Sequence, residues 1–124
     1  MARADPETQL QIAAVNLMRL ILPEGAMIHH SHNEGKRSKR EAGIAKAMGQ
    51  RAGFADVMIL YCREVYFIEF KSPTGRQSAS QKDFQIAAAI AGFPNYAIAR
   101  SIDDTVAALR QWGLEARKVG NVAY

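Results

Sequence analysis

The sequence predicts an α/β domain with a central mixed sheet of about four strands flanked by helices. Three observations carry this. Apolar residues recur at helical spacing near the N-terminus. Two short β-branched and aromatic runs, Val57 to Tyr61 and Val65 to Phe70, are separated only by a short turn. An alanine-rich helical stretch and a strand-helix pair then follow. At 124 residues with 48% hydrophobic residues, residues 1–124 have enough apolar side chains for one core and are expected to form a single domain.

In chain order, Asp5 is a good N-cap and Pro6 suits the first helical position. Leu10, Ala14, Leu17 and Ile21 form the stripe of a helix that Pro23 and Gly25 end. Met27 to Ser31 reads as a short strand, and Lys39 to Met48 as a short helix closed by Gly49. The runs Val57–Tyr61 and Val65–Phe70 are apolar on both faces apart from their ends, which places this hairpin in the middle of the sheet. Ser78 to Ala91 is a helix stopped by Gly92 and Pro94, Tyr96 to Ala99 a last strand, and Ser101 the cap of a final helix to Trp112.

Composition excludes several classes. A single cysteine, Cys62, rules out a disulfide framework and a cysteine-rich zinc site, which fits a reducing, intracellular setting. No run approaches the roughly 18 apolar residues of a membrane span, and the first residues lack an apolar signal region, so a soluble, cytoplasmic protein is expected. Lys and Arg number 16 against 12 Asp and Glu. The excess is local, because Lys36, Arg37, Lys39, Arg40, Lys46 and Arg51 face only Glu41 over that stretch. Such a segment either keeps a loop solvated or neutralises a phosphate backbone with release of counterions.

Charged residues interrupt the central hairpin at one end. Asp56 opens the first strand, and Glu69 and Lys71 close the second as Ile-Glu-Phe-Lys. Alternation puts Glu69 and Lys71 on one face and Ile68 and Phe70 on the other. If Tyr61 pairs with Glu64 across Cys62-Arg63, Asp56 lies opposite Glu69, with Cβ atoms roughly 4.5 to 5.5 Å apart. Two carboxylates that close repel, and Lys71 offsets this only in part. A divalent cation between them resolves the conflict. Oxygen ligands with open positions suit Mg²⁺ or Mn²⁺, which stabilise phosphoryl charge and activate water, while Lys71 positions that water. The competing reading makes Asp56 a turn residue and Glu69 and Lys71 an exposed pair.

Gly53-Phe54-Ala55-Asp56, Glu69-Phe70-Lys71 and Ser78-Ala79-Ser80-Gln81 together resemble the PD-(D/E)xK nuclease superfamily, and within it the VRR-NUC domain. The resemblance spans about residues 5 to 112; Ala55 stands where many members have proline. It implies a restriction-endonuclease-like core with Asp56, Glu69 and Lys71 as catalytic residues and Asp56 and Glu69 as metal ligands. It also implies a glutamate on the first helix that completes the acidic site, a place taken by Glu7, and a glutamine directed into that site, Gln81. Read from the residues alone, Glu7 is equally a first-turn anion favourable to the helix dipole. Ser78-x-x-Gln81 is likewise a capping box. His29, His30 and His32 lack the partners of a zinc site and suit a nucleic-acid contact or a solvated strand end.

These readings converge on a Mg²⁺- or Mn²⁺-dependent DNA endonuclease, with a non-catalytic nucleic-acid-binding module on the same fold as the alternative. No helix offers regularly spaced base-reading residues, so shape is expected to select the substrate, as in a four-way (Holliday) junction or other branched DNA. One site cuts one strand, so a homodimer is expected.

Overall fold

The computed structural model describes residues 5–31, 38–115, 118–119 and 122–123. Its elements run α1 (Pro6–Ile21), β1 (Met27–His30), α2 (Lys39–Ala47), β2 (Val57–Tyr61), β3 (Glu64–Phe70), α3 (Ala79–Ile90), β4 (Asn95–Ala99) and α4 (Ile102–Gln111). Two short strands follow, β5 (Lys118–Val119) and β6 (Val122–Ala123). The predicted elements agree with these within a residue or two. The pair β5 and β6, which forms its own antiparallel ladder, has no counterpart in the sequence reading.

The main sheet has the order β1-β2-β3-β4, antiparallel except for the parallel pair β3 and β4, so it is mixed and the hairpin is central. Tyr61 pairs with Glu64 and Val57 with Ile68, the register that the two-residue loop predicts. Cys62 and Arg63 both adopt positive φ, 49° and 67°, the conformation of a turn that matches the twist of its strands.

Each face of the sheet has its own core. On one, Val57, Ile59, Tyr66, Ile68 and Phe70 pack with Ala14, Met18 and Ile21 of α1 and Leu109 of α4. The α1 stripe is shifted from its expected centre: Met18 is fully buried beside Ala14 and Ile21, while Leu10 and Leu17 are partly buried. Trp112 joins this core, its ring 5.1 Å from that of Tyr66. On the other face, Phe67 packs with Ala55 and with Phe84 and Ala88 of α3, and Phe54, Met58 and Tyr96 border them.

Caps fix the helix starts. Asp5 accepts from the Thr8 N–H at 2.8 Å, and Ser78 and Gln81 form the reciprocal box that opens α3. Ser38 caps α2, which buries none of its residues. Lys39, Arg40, Lys46 and Arg51 are exposed on and after it; Lys36, Arg37 and His32 lie outside the described residues. No described helix is long and apolar enough to cross a membrane.

Candidate active site

The site gathers where β2 begins and β3 ends. Asp56 is half-buried and held at both ends. Its Oδ2 accepts from the Phe70 N–H at 2.7 Å, and its carbonyl accepts from the Ser31 N–H at 2.9 Å. The side chain is thereby fixed across the hairpin at the point where alternation puts Glu69 on the α3 face.

Glu69 is fully buried, the only charged residue among the described ones to be so. Its Oε1 accepts from the Tyr96 hydroxyl at 2.8 Å, whereas its Oε2 is buried with no partner among the described residues. An unsatisfied buried polar atom costs about 1–3 kcal/mol, more when charged. Burial raises the pKa of Glu69 first of all; the Tyr96 hydrogen bond and Lys71 pull it down, and Asp56 and Glu7 push it further up. Asp56 shifts the same way, raised by burial and by Glu7 against the Phe70 N–H and Lys71. Glu7, Asp56, Glu69 and Lys71 therefore share one electrostatic neighbourhood.

Glu7 reaches this end of the sheet from the first turn of α1, and its Oε2 accepts from the Ser72 N–H at 3.2 Å. A cleft of about 350 Å³ opens beside it, lined by Glu7, Thr8, Gln11, His30, Ser31 and Asp56. His30 Nδ1 lies 2.8 Å from Gln11 Nε2 and 3.2 Å from the Asp56 carbonyl. Gln81 stands on the α3 side with its Oε1 accepting from the Ser78 N–H at 2.7 Å, so the cap occupies its carbonyl oxygen. Among the described residues no three His, Cys, Asp or Glu side chains form a ready-made metal cage. Asp56 and Glu69 are the two carboxylates that could offer oxygens to a hard cation, and Glu7 adds negative charge to both.

A solved structure described as a VRR_NUC domain protein matches with a TM-score of 0.72 and 24% sequence identity, over 99% of each chain. The chain has the VRR-NUC fold. No family model and no curated protein matches the sequence. On the VRR-NUC fold the three motifs occupy distinct places. Gly53 to Asp56 leads into β2, Glu69 to Lys71 leaves β3, and Ser78 to Gln81 opens α3. Two supporting residues escaped the sequence reading. Tyr96, read only as the start of the last strand, binds Glu69. Arg100 Nη1 donates to the carbonyls of Ser72 at 2.7 Å and Gly75 at 2.6 Å, pinning the loop that follows Lys71.

The raised carboxyls predict a pH effect. A group that binds its proton more tightly when folded contributes stability that is present below its unfolded pKa, about 4, and is lost as pH rises through its folded pKa. In EDTA, Glu69→Gln is therefore expected to melt higher than the parent at pH 8, with the advantage shrinking toward pH 4. Thermal unfolding of both proteins across that range checks this, and a difference independent of pH would contradict it.

Proposed function

We propose that the chain is a Mg²⁺- or Mn²⁺-dependent endonuclease that hydrolyses phosphodiester bonds in branched DNA such as four-way junctions. The observation that supports this best is the buried Glu69, with one oxygen bonded and the other without a partner among the described residues, beside Asp56 and Lys71. A carboxylate kept only for packing would be expected to satisfy both oxygens. Asp56 and Glu69 would hold the cation, with the Glu7 charge nearby, and when bound it supplies positive charge for the phosphoryl transition state and makes water a better nucleophile.

The chain's own groups do the rest. The ammonium of Lys71 orients the attacking water and stabilises developing negative charge. The Phe70 N–H keeps Asp56 in place, and the tie from Glu7 to Ser72 holds α1 against the end of β3. Nε2 of Gln81 is a donor available to a phosphate oxygen. Lys36, Arg37, Lys39, Arg40, Lys46 and Arg51 bind the DNA backbone, a contact that carries no sequence information and leaves selection to shape. A homodimer belongs to this reading because cutting two strands takes two sites. Ile86 and Ile90, one turn apart on α3, and Phe93 beyond it expose apolar surface that a second copy would cover.

The test is cleavage of a four-way junction beside its matched linear duplexes, in Mg²⁺, in Mn²⁺ and in EDTA. The expected result is metal-dependent cutting that is faster on the junction and nearly indifferent to base sequence. Equal rates on junction and duplex would defeat structure selectivity. Tight DNA binding with no cleavage in either metal would leave a binding module.

A further inference from the structure

Resting on the endonuclease reading above, we propose that Tyr96 is a positioning residue for the metal-binding carboxylate: its hydroxyl, itself held by Gln77, fixes Oε1 of Glu69 and leaves Oε2 to the cation. The register makes the contact possible. In the parallel pair β3 and β4, Phe67 stands beside Tyr96 and Glu69 beside Ile98, so Tyr96 and Glu69 are diagonal neighbours on one face. A diagonal neighbour is within reach of an aromatic side chain.

The direction of each hydrogen bond follows from counting protons. Gln77 Nε2 donates to Gln85 Oε1 at 3.0 Å and to the Tyr96 hydroxyl at 3.2 Å. The hydroxyl has one proton of its own, and with Gln77 on its acceptor side that proton goes to Glu69, 2.8 Å away. Glu69 is fully buried and has no solvent to turn toward, so this bond sets the carboxylate's rotation. A neutral donor does this without cancelling charge. A lysine or arginine in the same place would orient Glu69 equally well but would compete with a cation for it. Packing does not explain the hydroxyl, because the Tyr96 ring already meets Phe67 and Phe84 with centroids 6.4 Å away in each case, contacts that phenylalanine would keep.

Mn²⁺ binding measured by titration calorimetry without DNA, on wild type, Tyr96→Phe, Gln77→Ala and Glu69→Gln, tests the assignment. Loss of a partner that orients a metal ligand typically costs about 10- to 100-fold in metal affinity. Tyr96→Phe is expected to weaken Mn²⁺ binding by about that factor and to raise the Mn²⁺ concentration for half-maximal junction cleavage equally. The rate at saturating Mn²⁺ and the KM for DNA should stay near wild type. Gln77→Ala should shift both in the same direction by less, and it decides the matter if Tyr96→Phe does not fold. Wild-type Mn²⁺ affinity in Tyr96→Phe, with binding abolished in Glu69→Gln, overturns the role of Tyr96 and leaves the metal site standing. A wild-type protein that neither binds Mn²⁺ nor cleaves overturns both.

Discussion

Asp56→Asn and Glu69→Gln are each expected to lower junction cleavage at least a hundredfold, a loss of about 2.7 kcal/mol of transition-state stabilisation, while DNA binding is retained or strengthened. Both changes keep shape. Asparagine still offers an acceptor to the Phe70 N–H, and glutamine one to the Tyr96 hydroxyl, so the hydrogen bonds that hold each side chain survive. What disappears is one negative charge, and with it half of the pair proposed to hold the cation. The same change removes repulsion between the protein and the DNA phosphates, which favours binding. Single-turnover cleavage in Mg²⁺ and Mn²⁺, run beside binding measurements in EDTA, separates the two effects. Cleavage within about tenfold of wild type, ~1.4 kcal/mol, would remove the residue from the site.

Local patterns made much of this arrangement legible in the sequence. The two-residue loop Cys62-Arg63 fixes the hairpin register as far as Val57 opposite Ile68, one residue short of Asp56 and Glu69, and Asp56 then turns its carboxylate onto the Phe70 N–H. The caps Asp5, Ser78 and Ser101 were equally readable, since each is a short-range bond between a side chain and the next turn. Contacts that depend on non-local pairing were not. Nothing near Tyr96 says that β4 runs parallel to β3 in a register that brings its hydroxyl to Glu69, and nothing near Arg100 says that it clamps the carbonyls of Ser72 and Gly75. The capping box shows the opposite limit. Gln81 was legible both as cap and as site residue, and the structure shows the cap, which a site role for its nitrogen would not disturb.

Gly53, the first residue of the motif that leads into β2, carries the largest expected effect on stability. In the structure it passes against the first turn of α3: a Cβ added at Gly53 would stand 2.2 Å from the carbonyl oxygen of Ser80 and 2.7 Å from the Gln81 nitrogen. These are backbone atoms in a capped turn and cannot rotate away. The residue also has φ +76°, a conformation that costs an L side chain about 1–2 kcal/mol before any contact is counted. Adding overpacking of about 1–3 kcal/mol, Gly53→Ala is expected to destabilise the fold by ~2–5 kcal/mol. Gly92→Ala is the control, because Gly92 has φ +99° but nothing among the described residues within 4 Å of the added Cβ. It should lose only the conformational part, about 1–2 kcal/mol. Urea unfolding of the two variants beside wild type measures the difference, and equal losses would mean that the approach to α3 has slack. Junction cleavage by the Gly53→Ala protein that remains folded should also fall. The segment that must move carries Phe54 into its aromatic contacts with Phe67 and Phe84 and ends at Asp56, where a shift of about 1 Å in a catalytic group can cost a hundredfold in rate.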